Sequence, residues 1–115
     1  MSAEQQYSRH RPFAISVVRG GDEVAVVPAG ELDLATADTV RQEVRQVKAA
    51  GVAHIVLDLR EVDFIDSAGL RMLLGLRNDA KRNGHALTLR PPAPAVRRIF
   101  ELTGTRGLFD WRETG

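Results

Sequence analysis

Ser67 lies within Val62-Asp63-Phe64-Ile65-Asp66-Ser67-Ala68-Gly69-Leu70, where an apolar, strand-like run gives way to residues of helical period. A hydroxyl in that position can do three things. It can cap the helix, its oxygen accepting a first-turn N–H that has no intrahelical acceptor, which contributes about 1 kcal/mol. It can attack a substrate if a base stands within hydrogen-bonding reach. It can also accept a phosphoryl group, whose charge would feel the positive end of the helix.

The nucleophile reading fails on its neighbours. A Gly-x-Ser-x-Gly elbow also puts serine between strand and helix, but Ile65 occupies the place of the first glycine and only Gly69 matches. His54 opens the strand that leads toward the motif, which puts it roughly 20 Å from that strand's far end. His85 follows the helix that leaves Ser67, roughly 25 Å away. His10 falls in a polar N-terminal stretch. Asp33, Asp58, Asp63 and Asp66 fall near the ends of strands and could crowd around Ser67, and carboxylates can hold magnesium through its waters. Asp is also an ordinary turn and cap residue, and no metal or cofactor is expected. Asp58, inside the apolar run Ile55 to Leu59, needs a partner, and a backbone N–H or Arg60 can supply one. Neither phosphate-loop glycine pattern occurs.

The elements that must position these groups follow from periodicity. Residues 1–12 are polar, without a period, and read as a flexible tail. Phe13, Ile15 and Val17 alternate with Ala14 and Ser16, a strand with one buried face; Val24 to Val27 follow after a Gly-Gly turn and must pair antiparallel with it. Beyond Gly30-Glu31-Leu32-Asp33 the period becomes helical, with Ala37, Val40, Val44 and Val47 on one stripe and Gly51 as the stop. Ile55 to Leu59 is a central strand. A helix runs from Ser67 to Asn83, and Leu87 and Leu89 mark a fourth strand. Pro94 opens a third helix bearing Val96, Ile99 and Phe100. Leu108 to Trp111 is either a short last strand or an apolar anchor, and residues 112–115 form a C-terminal tail. The order β-β-α-β-α-β-α defines an α/β fold, a mixed sheet with helices packed on it, as one domain over residues 13–111.

Composition narrows the partners. The 16 basic residues nearly cancel the 15 acidic ones, the net charge is +1, and no basic run advertises a nucleic-acid surface. No cysteine is present, which removes disulfides and thiolate chemistry. No apolar segment approaches the ~20 residues needed to cross a bilayer. A cytoplasmic protein, free of membrane and nucleic acid, is expected.

Four segments together resemble a known family. They are Gly30-Glu31-Leu32-Asp33, Val56-Leu57-Asp58-Leu59, Asp66-Ser67-Ala68-Gly69-Leu70 and Pro94-Ala95-Val96-Arg97-Arg98-Ile99-Phe100-Glu101-Leu102-Thr103-Gly104. In this order and spacing the chain resembles the bacterial anti-sigma factor antagonists, single STAS-domain proteins. The resemblance implies a STAS-like sheet and a partner-switching cycle. The serine matching Ser67 is phosphorylated by an anti-sigma factor that is itself an ATP-dependent serine kinase. The unmodified antagonist binds that kinase and frees the sigma factor, and a PP2C-type phosphatase resets the modified form. Asp33, Asp66 and Gly69 match residues beside the phosphoacceptor. Ala68 departs from the many members that carry a second serine there.

On a helical wheel Leu70, Leu73, Leu74 and Ala80 form the core stripe of the helix after Ser67. Met72 and Leu76, spaced i and i+4, project to one flank, Met72 into water, unless a neighbouring element covers them. If they are open, they and Arg71 join Ser67 in a docking surface on a protein that is not an enzyme and is a monomer when free. A STAS adaptor subunit of a transporter or of a multi-protein signalling complex is the alternative, gripping its partner constitutively.

Overall fold

The computed structural model describes residues 12–113. The N-terminal tail expected over residues 1–12 therefore lies, but for Pro12, outside the described residues, as do residues 114 and 115. The chain forms β1 (Ala14–Gly20), β2 (Glu23–Leu32), α1 (Ala37–Ala49), β3 (His54–Asp58), β4 (Val62–Ile65), α2 (Ser67–Asn83), β5 (Ala86–Arg90) and α3 (Pro94–Leu102), followed by a short 3-10 turn at Arg106–Leu108. The mixed α/β class and every expected element are present, with one strand more than expected.

The sheet runs β1-β2-β3-β5, with β4 also on β2. β1 and β2 are an antiparallel hairpin, and β3, β4 and β5 run parallel to β2 or to one another. β2 is the spine of the molecule. Its first residues pair with β3 (Glu23–Val26) and its last with β4 (Gly30–Leu32), so β3 and β4 act as two arms of one bent strand. The Arg60–Glu61 turn separates the arms and is tied to the spine by the Gly30 N–H donating to the Glu61 carbonyl at 3.0 Å. Pro28 lies between the two paired stretches of β2, where its missing N–H costs no ladder bond on that side. Gly30 takes φ 112° at the adjoining register shift, a conformation that side chains rarely adopt.

Along β2 burial alternates strictly, and Val24, Val26 and Leu32 point toward the helices. Ile55, Leu57 and Leu59 continue that face on and just beyond β3, and Leu87 and Leu89 on β5. The expected α1 stripe of Ala37, Val40, Val44 and Val47 covers them, beside Leu70, Leu73 and Ala80 of α2. Gly84 ends α2 in the left-handed region at φ 74°, as its place in the sequence predicts.

The chain end folds back as an apolar anchor that also makes one bridge to the sheet. Phe100, fully buried on α3, makes edge-to-face contacts with Phe109 and Trp111 at centroid distances of 5.7 and 5.1 Å. Trp111 bridges Leu89 in parallel, the Leu89 N–H donating to the Asp110 carbonyl and the Arg112 N–H to the Leu89 carbonyl, both at 2.8 Å. Arg112, assigned above to the tail, reaches across the other sheet face to Glu23 in a bidentate pair at 2.7 and 2.9 Å. The ordered strap thus includes Arg112. Because three rings share one contact, Phe100→Ala should destabilise the fold by about 3–5 kcal/mol in urea unfolding. A loss below about 1 kcal/mol would show that the strap does not depend on this ring.

Candidate functional site

The candidate site is the junction of β4 and α2. Asp66, with φ −104° and ψ −172°, leaves the strand and becomes the N-cap, its carboxylate accepting the Gly69 N–H at 2.9 Å. Its own N–H donates to the Leu32 carbonyl at 3.1 Å, and its carbonyl accepts the Leu70 N–H at 3.0 Å. Asp66 therefore joins the spine to the helix and closes the first turn. Ser67 is the first helical residue and not the cap, which corrects one of the roles open to it from sequence. It is exposed, and its hydroxyl makes no hydrogen bond among the described residues.

Gly69 shows how close the helix comes to the sheet. A Cβ built there would collide with the Leu32 carbonyl oxygen, lying also 3.0 Å from its carbonyl carbon and 3.1 Å from its Cβ. Only glycine lets the first turn press on the end of β2. The next residue, Asp33, organises the turn into α1. Its Oδ1 accepts the N–H groups of Ala35 and Thr36 at 3.0 and 3.1 Å. Thr36 Oγ1 accepts the Asp33 N–H at 3.0 Å and donates to the Glu31 carbonyl at 2.7 Å. Asp33 and Asp66 thus hold the two backbone segments that meet at Leu32.

The other carboxylates do not gather with them. Asp58, 5 % exposed, points to the sheet face away from α1 and α2. It takes both partners expected from sequence: the Arg60 N–H at 3.0 Å and the Arg60 guanidinium at 3.0 and 2.8 Å. Burial raises its pKa, but the Arg60 hydrogen bonds and charge, with Arg90 nearby, together leave the carboxyl below its ordinary value. Among the described residues no group of three His, Asp or Glu side chains could hold a metal ion.

His54 pairs with Glu23 at one end of β2, whereas Ile65 pairs with Leu32 at the other. Nine residues of strand separate them, roughly 30 Å. His54 there bonds Thr88 at 2.9 Å and lies 3.4 Å from Glu23. His85, one residue before the Ala86 that pairs with His54, belongs to the same distant end. Ser67 has no histidine base from either, and His10 lies outside the described residues.

The expected docking flank is corrected. Met72 and Leu76 are 2 % and 4 % exposed and belong to the core, because α1 lies alongside α2 and covers that flank. Conversely Leu74, placed on the core stripe, is only partly buried. Arg71 is exposed as expected. The apolar groups open near the motif are others: Leu34, 82 % exposed beside Asp33, and Phe64, 47 % exposed two residues before Asp66. Phe64 lines a groove of about 340 Å³ with Ile99, Leu102 and Arg98 of α3. Phe64 was visible in the sequence as a large side chain in the motif, but only the unread strand β4 turns it outward. Leu34 gave no periodic signal at all.

Two outcomes test this geometry. Gly69→Ala should destabilise the protein by about 1–3 kcal/mol, because the backbone of β2 or α2 must shift; denaturant unfolding measures it, and a neutral effect contradicts the close approach. Asp58 holds a lowered pKa in the fold, so its stabilisation is present above the unfolded value near 3.9 and disappears as pH falls through the folded one. Wild type should exceed Asp58→Asn in stability at pH 7, and the gap should shrink below about pH 4. A gap unchanged down to pH 2 contradicts the pairing.

A STAS domain model matches residues 14–114. The anti-sigma-B factor antagonist of Listeria monocytogenes is 34 % identical over 94 residues, covering 80 % of this chain and 81 % of that one. The crystal structure of an anti-sigma factor antagonist from Mycobacterium paratuberculosis superposes with a TM-score of 0.79 at 27 % identity, over 90 % of this chain and 87 % of that chain. The Bacillus antagonist SpoIIAA shares the fold in its unphosphorylated form (TM-score 0.68, 21 % identity, 89 % of each chain). It does so in its phosphorylated form as well (TM-score 0.63, 20 % identity, 89 % and 92 %). With the STAS order of elements and the Asp-Ser-Ala-Gly-Leu junction in place, the chain belongs to the family of STAS-domain anti-sigma factor antagonists.

Proposed function

We propose that this chain binds an anti-sigma factor while Ser67 carries a free hydroxyl, and lets go when Ser67 is phosphorylated. A sigma factor is free in the first state and captured in the second. The anti-sigma factor is an ATP-dependent serine kinase and a PP2C-type phosphatase restores the hydroxyl, as the family resemblance implies. The chain acts in the cytoplasm by binding and turns over no substrate of its own.

The observation that carries this reading is the division of labour at the start of α2. Asp66 supplies the cap and Gly69 the close approach, so the exposed Ser67 hydroxyl has no structural task to lose. A phosphate there adds about −1.5 to −2 charges at pH 7. The Asp66 carboxylate repels it while the helix N-terminus attracts it, and the fold can carry the group. The solved phosphorylated form of SpoIIAA, which keeps the same fold, supports that tolerance.

A partner packed over Ser67 cannot carry it as easily. Unfavourable charge at an interface costs several kcal/mol, and each 1.4 kcal/mol is tenfold in affinity. The contact surface we assign combines the hydroxyl with Leu34, Phe64 and Leu102 as exposed apolar anchors, Arg71 as a polar one, and Asp33 and Asp66 as the frame. It replaces the buried Met72 and Leu76.

Calorimetry with the cognate kinase tests the cycle. Ser67→Asp should weaken binding at least tenfold, and Ser67→Ala should bind as wild type yet take up no phosphate from ATP. Tight binding by both variants, with phosphate still incorporated elsewhere, rules the switch out.

A further inference from the structure

At the far end of α2 from Ser67, the C-terminal halves of α1 and α2 border a crevice of about 420 Å³. Its floor is apolar, formed by Val44 and Leu76, with Ala49 at the lip. Arg45, Lys48 and His85 rise around it. Among the described residues neither Arg45 nor Lys48 has a carboxylate partner. The one acid in the lining, Asp79, is engaged by the Arg82 guanidinium at 2.9 Å. Lys48 also complements the carbonyl end of α1, a role that accounts for one cation and leaves Arg45 and His85 without a stated task. The imidazole of His85 has its pKa lowered by burial and then by the nearby Lys48 charge, so at neutral pH it can donate or accept one hydrogen bond.

An apolar floor under a basic rim suits a molecule with an apolar body and one negative head. The volume is that of small-molecule sites, and one side stays open to water, where the rim cations keep their hydration. We propose that this crevice binds a small amphiphilic carboxylate, its chain on Val44 and Leu76 and its carboxylate held by Arg45 and Lys48, with His85 alongside. The site shares no residue with the Ser67 surface, so it stands or falls independently of the switch.

The test uses octanoate below its micellar concentration as probe, followed by methyl and amide NMR of the full chain, with 1-octanol and inorganic phosphate in parallel. Octanoate should give saturable shifts at Val44, Leu76 and the His85 ring, with dissociation in the millimolar range or tighter. Octanol should bind at least tenfold more weakly, and phosphate should leave these signals unmoved. Arg45→Glu with Lys48→Glu should weaken octanoate at least tenfold while the rest of the spectrum stays folded. Ala49→Leu, which fills the lip without changing charge, should also weaken it. Ser67→Ala should bind octanoate as wild type does. Absent saturation, equal binding of octanol and octanoate, or unchanged affinity in the double charge reversal would each overturn the proposal.

Discussion

The contact between the first turn of α2 and the carbonyl of Leu32 fixes the rest of this molecule. One oxygen at the end of β2 accepts the Asp66 N–H at 3.1 Å and simultaneously sets the closest approach of the helix at Gly69. Any side chain at position 69 would force the two apart, and the direction of α2 would change with them. That direction decides which residues are core and which are surface. With α2 pressed on the spine, α1 lies beside it, Met72 and Leu76 are covered, and Ser67 is left outside.

A consequence is that the cap, Asp66, and the proposed phosphoacceptor, Ser67, are different residues. A serine acting as N-cap would lose its bond to Gly69 when modified, and the helix would lose about 1 kcal/mol with it. Here the cap is Asp66, which is already charged and cannot be phosphorylated in the serine manner. In the proposed cycle a phosphate on Ser67 would therefore be read by a partner as charge, with little strain in the chain that bears it. The bidentate Asp58–Arg60 pair on the opposite face and the Arg112–Glu23 pair at the strap lie outside this junction.

Much of this was legible in the residues. The α1 stripe, the ends of α2 at Ser67 and Gly84, Pro94 opening α3 and the pairing of Asp58 all follow from period, capping residues and the cost of a lone buried charge. What the sequence hid was long-range. Pro28 and Gly30 look like the end of a strand, yet β2 continues through them because its partner changes there from β3 to β4. Val62-Asp63-Phe64-Ile65 is strand-like but too short to be told apart from the run Ile55 to Leu59, and it is a separate strand because Gly30–Leu32 lies beside it. The helical wheel of α2 gives its period but not the number of elements packed around it, so it leaves open whether the flank of Met72 and Leu76 is covered, and it is. Asp66 and Ser67 are both good capping residues, and only the dihedral angles tell which one has left the helix.

The most direct measurement is amide NMR with hydrogen exchange on the chain phosphorylated at Ser67, set against the unmodified chain. If the helix start is held by Asp66, Gly69 and Leu32 and not by the serine, the Gly69 amide stays equally protected in both. Shift changes should then be confined to residues near the Leu32 and Ser67 junction. Loss of protection at Gly69, or shifts spreading through α1 and β3, would mean that the phosphate remodels the fold and that the separation of cap from switch is wrong.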